Sequence, residues 1–366
     1  MQVIDVDSHI TVIKGLEGTP FQIKLLPDGG HLMEFNRTQL DFTPPQGKMP
    51  RPGKPPIDMR TWWDLDRRLE DLDREGISKQ VLIFHTSHVF YGADPAVAVQ
   101  TARKYNDGLA EMIASCKDPS RYVGAAPLPL QDPQAAADEA ARAVQELKMP
   151  VVVIGTNVRG KNLDLPEFWP FFARMNELEV PIIVHSDGLS PFQTHPAAGD
   201  RIGWWERGPF SVDYPVWWML GHPFEHMIAI ARLIYSGLLD RYPRLQFLFE
   251  EGNVGYALYL FDRLESGWEF GELLFGPRVH LRGPKKHPLD YLEHFQWAVE
   301  SEDSMIAEVV RRWGAERILF STDYPHPDTP WPQSVEGMKA LLASYPADEQ
   351  AKVFSGNAAR LLHLER

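Results

Sequence analysis

The sequence predicts an α/β fold: a single-domain (β/α)8 TIM-like barrel over residues 1–366, with long loop insertions over the rim where its strands end. Three observations carry that prediction. Eight short apolar stretches alternate with helix-like segments, the pattern of a parallel sheet covered by helices. Ionisable side chains gather at the C-terminal ends of those stretches, where barrel enzymes place their chemistry. Finally, no strand is followed by GxGxxG and no GxxxxGK[ST] occurs, so the open doubly wound sheet of a nucleotide-binding protein lacks its signature.

Taken in order, the elements read as follows. IDVDSHI (4–10) is the first strand; ideal alternation puts Asp5, Asp7 and His9 on one face and Ile4, Val6 and Ser8 on the other. A Pro/Gly-rich stretch near 27–57 has no periodicity and reads as an irregular insertion. TWWDLDRRLEDLDREGI carries Trp62, Leu65, Leu69 and Leu72 at helical spacing and a glycine near its end. QVLIFH is the second strand. Helix 96–115 leads to YVGAA, helix 133–147 to VVVIG, and helix 166–178 to PIIVH. A second insertion, near 186–221, precedes a helix over 223–240 and the strand LQFLF. Helix 254–265, an insertion near 267–290, FQWAV, helix 303–313 and ILFST complete the eight units.

Composition narrows the function. With 44% hydrophobic and 24% charged residues the chain is a folded globular protein. A net charge of −13 argues against nucleic-acid and anionic-membrane partners, which require a basic face. One cysteine, Cys116, excludes an intramolecular disulfide and suits a reducing compartment. Without a basic leader or an apolar run of membrane-spanning length, a cytoplasmic location is expected. The 11 Trp, 19 Phe and 11 Tyr exceed what a core of this size needs.

The strand ends supply the chemistry. The first ends in Asp7 and His9, the second in His85 with His88 beyond, the fifth in His185, the sixth in Glu250 and Glu251. The eighth leads into Asp323, with His326 nearby. Alone, each such residue is more often a cap or a hydrogen-bonded structural group. Together, at strands one, five and eight, they form the arrangement with which a barrel hydrolase holds a divalent cation. Asp5 lies one pleat deeper and reads as structural. His85, His88, Asn157 and His326 are candidates for lining the substrate pocket. HPFEH (222–226) matches the HxxEH spelling of a zinc peptidase. Here, though, Pro223 suits a helix start and Glu225 a first helical turn, so the match is read as a helix opening, with Glu225 able to face the pocket.

IDVDSHI, GTNVRG, PIIVH, LIYSGLLDRYPRLQFLFEEGNVGY, STDYPHPD and SGNAARLL, in this order, resemble the amidohydrolase superfamily. The nearer likeness is to its branch of aminocarboxymuconate-semialdehyde, resorcylate and carboxyvanillate decarboxylases. The branch also resembles a nonheme diiron thioesterase of diterpenoid biosynthesis. The likeness implies a metal set of Asp7, His9, His185, Glu251 and Asp323, with Asp7 at the first position of the family's HxH. Asp7 and His9 would then face one way to grip one cation. The chain departs from the pattern after strand six, where EEGNVG puts Glu251 in the place of a histidine that assists proton transfer in decarboxylases. Three carboxylates and two imidazoles suit one or two ions of Fe, Zn or Mn.

Glu251 tips the expectation toward hydrolysis, since a carboxylate beside a cation is well placed to take a proton from water. The substrate would be an ester, a thioester such as an acyl-CoA, or an amide, with Glu251 and Asp323 as the catalytic residues. Nonoxidative decarboxylation of an aromatic or unsaturated acid is the alternative, and a barrel that has lost catalysis a third. Trp204, Trp205, Trp217 and Trp218 in the second insertion suggest either an apolar lid over a bulky acyl or aromatic substrate or a subunit contact. Trp204 and Trp205 are the candidates for substrate contact, and a homodimer is the expected assembly.

Overall fold

Parallel pairing of consecutive apolar strands builds an eight-stranded sheet: Ile4–Ile10, Lys79–Phe84, Tyr122–Pro127, Val151–Gly155, Ile182–His185, Phe247–Glu250, Phe295–Val299 and Ile318–Phe320. The computed structural model describes residues 2–12, 14–19, 21–25, 31–35, 38–41, 48–51, 53–84, 91–186, 214–275 and 284–364. Each barrel strand pairs with the next, and the first meets the chain just beyond the eighth. There His9 N donates to Tyr324 O (2.7 Å) and Asp323 N to Asp7 O (3.0 Å), which closes the barrel.

Side-chain alternation sorts the strands into two apolar layers. Val6, Val81, Ile83, Val123, Ala125, Val151, Val153, Ile183, Leu248, Ala298 and Leu319 fill the barrel interior. Their neighbours along the chain, among them Leu82, Phe84, Ile154, Val184, Phe249 and Phe320, pack outward against the helices. The helix Leu65–Glu75 starts at Asp64, whose side chain accepts from Arg67 N, and stops at Gly76, whose φ of 71° is the left-handed conformation that glycine adopts without strain.

Four local expectations change. The first strand does not keep its alternation: pairing jumps from Asp5 with Gln80 to Ser8 with Leu82, a bulge that inserts one residue. Asp5 therefore turns outward, away from Asp7 and His9. Its carboxylate accepts from Thr322 Oγ1 (2.6 Å), Thr322 N (3.0 Å) and Gln80 Nε2 (2.8 Å). The Pro/Gly-rich insertion and the residues just before it form antiparallel strands, Phe21–Leu25 with His31–Phe35 and Thr38–Asp41, then Lys48–Arg51 with Lys54–Asp58. Backbone pairing needs no hydrophobic period, which is why none was visible. The helix expected from 223 runs Tyr214–Tyr235 and contains Pro223 in its interior; Pro215, in the first turn, holds the place where a missing N–H costs nothing. The helix expected over 254–265 continues to Phe275.

Candidate metal centre

The bulge at Asp7 and two left-handed residues shape this site. After the bulge, His9 turns inward beside Ile83. His185 and Glu250 are the inward-facing last residues of their strands. Alternation would turn Glu251 outward, but its φ of 61° re-aims it into the rim, and Asp323 is redirected in the same way at φ 54°. Strict alternation along a strand would let only one glutamate of this pair approach the site. Both do: Glu251 lies at the rim and Glu250 is enclosed beneath it, its two oxygens without a hydrogen bond among the described residues.

Carboxylates and imidazoles then converge. His9 Nε2 lies 2.8 Å from Glu251 Oε1, 2.9 Å from Asp323 Oδ1 and 3.5 Å from Asp7 Oδ1. His185 Nε2 is 2.9 Å from the same Glu251 Oε1. Donor atoms of His9, Glu251, Asp323 and His326 all fall within 4.8 Å of one another. His326, expected as a pocket-lining residue, belongs to this cluster: its Nδ1 is 3.4 Å from Asp323 Oδ2 and its ring stacks on His9 at 4.5 Å between centroids. Trp62 packs beside both rings, 5.2 Å from His326 and 6.5 Å from His9 between centroids.

One imidazole nitrogen cannot donate to three carboxylates at once. The buried Asp7 Oδ1 and Asp323 Oδ1 in fact have no hydrogen-bond partner among the described residues. A donor set of oxygens and imidazole nitrogens, gathered within ligand reach with buried oxygens left over, fits a divalent cation. The electrostatics agree. Burial pushes Asp7 up to about 7, against the pull of His9. Asp323 is held well above the usual carboxylate range by burial and then by Glu251 and Glu300. Burial also raises Glu251, but His185 and the hydrogen bonds from His185 and His9 outweigh it and leave it well below. His326, driven down to about 3 by burial and the neighbouring His9, is neutral. So much uncompensated carboxylate is what a bound cation would relieve.

The other candidates separate. Asn157 is engaged locally: its Oδ1 accepts from Gly160 N (2.8 Å) in the turn of the Asn157–Val158 and Lys161–Asn162 hairpin, an Asx-type contact. His85, His88, Trp204 and Trp205 lie outside the described residues, as do the side chains of Trp217 and Trp218. Within HPFEH the side chains serve different partners, so no peptidase-type zinc pair forms. His222 Nδ1 is bonded to Ser186 Oγ (2.8 Å), Glu225 Oε2 to Thr156 Oγ1 (2.5 Å) and His226 Nδ1 to Tyr256 Oη (3.1 Å). Sequence reasoning missed His222, which comes within 3.7 Å of Glu251 Oε2. The signal was present in the helical spacing of 222, 225 and 226, which sets all three on the face toward the barrel.

Comparison with known proteins places these features in a family. A family model described as Amidohydrolase matches residues 4–364. The chain is similar to 2-amino-3-carboxymuconate-6-semialdehyde decarboxylase of Dictyostelium discoideum, 27% identical with 83% of this chain and 77% of that protein covered. It is also similar to gamma-resorcylate decarboxylase of Polaromonas sp., at 29% identity over 92% of this chain and 98% of the relative. Among solved structures, a dihydroxybenzoic acid decarboxylase from Polaromonas sp., with bound manganese and the inhibitor 2-nitroresorcinol, superposes with a TM-score of 0.72. That pair is 26% identical, with 100% of this chain and 98% of the other covered.

Proposed function

From the premise that this chain belongs to the Amidohydrolase family, we propose that it is a metal-dependent nonoxidative decarboxylase of an aromatic or unsaturated carboxylic acid. This reverses the order in which Glu251 alone ranks hydrolysis and decarboxylation: these relatives, similar over most of the chain, are decarboxylases, and none of them supports the thioesterase relation. The observation that carries the reading is the convergence of His9, His185, Asp323 and Asp7 at the strand ends, with buried carboxylate oxygens left unbonded.

His9, His185 and Asp323, with Asp7 below, are the residues proposed to hold one divalent cation, manganese being the metal in the solved relative. When bound, that cation supplies positive charge to hold a carboxylate and an adjacent oxygen of the substrate. The chain's own groups do the rest. His326 and Trp62, their rings 5.2 Å apart and tilted by 35°, offer an aromatic edge of the site against which a substrate ring can pack. Asp323 keeps Oδ2 toward His326, and from that atom a proton can reach the substrate carbon that bears the carboxylate. The new C–H bond forms, the C–C bond breaks with its electron pair returning to the ring, and CO2 leaves. Solvent returns the proton to Asp323.

Hydrolysis keeps one supporting observation: Glu251 Oε1 within hydrogen-bond reach of two imidazoles, placed to take a proton from water. A panel of ortho-hydroxy aromatic acids, followed by CO2 release, beside esters, thioesters and amides, separates the two. CO2 release that stops on chelation and returns with Mn2+ supports the proposal; chelator-sensitive hydrolysis without CO2 release replaces it.

A further inference from the structure

The bulge in the first strand leaves backbone groups that the ladder does not pair, and side chains take them up. Asp5 Oδ1 accepts from Asp7 N (3.3 Å), and Ser8 Oγ donates to Val81 O (2.7 Å). Behind both stands Arg68, fully buried on the helix Leu65–Glu75. Its five N–H groups make five hydrogen bonds. Nε donates to Thr61 O (3.1 Å), Nη1 to Ser8 Oγ and Gln80 Oε1 (3.3 Å each), and Nη2 to Thr61 O (2.9 Å) and His9 O. Every one of these acceptors is a neutral oxygen. A buried guanidinium bonded only to neutral groups is costly, and folding alone gains little by keeping one.

Resting on the metal centre of the decarboxylase reading, we propose that Arg68 is a positioning residue: by pinning the bulge it aims Asp7 and His9 at the cation and so sets how tightly the cation is held. One arm of its contacts is direct, to Ser8 Oγ and the His9 carbonyl. The other passes through Gln80, whose Nε2 donates to Asp5 Oδ2 (2.8 Å). Asp5 in turn holds Thr322 N and Oγ1, directly before Asp323. On the other side of Asp323 the guanidinium lies 5.2 Å over the Tyr324 ring, and Tyr324 O accepts from His9 N (2.7 Å). A single side chain thus braces both segments that supply Asp7, His9 and Asp323. Ligands already aimed at the ion lose little freedom when it binds, which is how a residue that never touches the metal raises its affinity.

The test reads metal affinity apart from stability. Chelator-stripped wild type, Arg68→Lys, Gln80→Met and Asn106→Ala are titrated with Mn2+, the free ion being counted by EPR, at a temperature where unfolding curves show each folded. Lysine keeps the charge but not the planar fork. Gln80→Met leaves Arg68 in place and cuts its path to Asp5, so it decides the matter if Arg68→Lys does not fold. Asn106→Ala breaks a buried bond to Glu139 Oε1 (2.7 Å) elsewhere in the helix layer and controls for lost stability. The Kd for Mn2+ should rise by about 10–100-fold in Arg68→Lys and Gln80→Met, the scale for residues that orient metal ligands. It should keep the wild-type value in Asn106→Ala although Tm falls. A wild-type Kd in either folded variant, or an equal loss of affinity in Asn106→Ala, overturns the role of Arg68 and leaves the decarboxylase reading to the CO2 assay. If the wild type itself binds no Mn2+, the centre fails and the inference with it.

Discussion

Glu251 reaches the centre through a left-handed backbone, and its neighbour Gly252 keeps it there. A Cβ on Gly252 would meet His226 Nδ1 at 2.5 Å and Cε1 at 2.9 Å, and that ring is buried and bonded to Tyr256. Gly252→Ala should therefore destabilise the protein by about 1–3 kcal/mol, as overpacking does, and lower activity by shifting Glu251. Urea unfolding and a steady-state assay would check both, and wild-type values in both would contradict the packing argument. Glu251→Gln is a second case. With the cation held by His9, His185 and Asp323, it should keep its metal and go on releasing CO2, whereas a hydrolase that used Glu251 as its base would lose roughly 10²–10⁴-fold in kcat. Loss of metal on elemental analysis would make Glu251 a ligand instead. The candidate residues were legible because Asp, His and Glu at strand ends are few and chemically specific. Their exact aim was not. The bulge that separates Asp5 from Asp7 depends on the register of a partner strand about 75 residues away, Asp5 pairing with Gln80, and the positive φ at Glu251 and Asp323 falls on residues that do not advertise it.

At the scale of elements, the arm Lys48–Arg51 and Lys54–Asp58 clamps the loop that carries Asp323 and His326. Arg51 donates to Pro327 O (2.7 Å), Trp331 O (2.6 Å) and Thr329 O, and Lys54 Nζ adds Thr329 O (3.1 Å). Ile57 packs with Tyr324 and Trp331 from the same loop. Arg51→Ala should cost about 2–3 kcal/mol, since hydrogen bonds to a buried charged group are among the stronger ones, and should weaken metal affinity through Asp323. Unfolding curves and metal titration would show it; an unchanged affinity would mean that the loop holds its shape unaided. Strands and helices with strong periodicity could be read directly from the chain. This arm could not, because its stability comes from backbone pairing and one arginine rather than from an apolar pattern. Pro223 misled for the opposite reason: a strong local signal for a helix start is overridden by a helix that begins nine residues earlier.

Over the whole molecule, the barrel concentrates negative charge at one end. Burial pushes Asp7, Glu250, Glu251, Glu300 and Asp323 all up, and neighbouring carboxylates add to it in four of them; only Glu251, held by His185 and His9, ends below the usual range. A cation at that rim binds the native state and not the unfolded chain, so it should stabilise by about 2.7 kcal/mol at a hundred times its Kd. Chelation should lower Tm by several degrees, and re-addition of Mn2+ should restore it. No helix of the described residues is long and apolar enough to cross a membrane. The barrel as a whole was the most legible feature, since eight buried strands in a row leave few other ways to cover a parallel sheet. Which reaction it hosts was the least legible, because one substituted side chain pointed to hydrolysis while the chain-wide likeness pointed to decarboxylation. Anomalous diffraction at the manganese edge, from crystals grown with Mn2+, tests the centre on which all of this depends. The expected result is one peak within ligand distance of His9 Nε2, His185 Nε2 and a carboxylate oxygen of Asp323. No peak there, or a peak only elsewhere on the molecule, would contradict it.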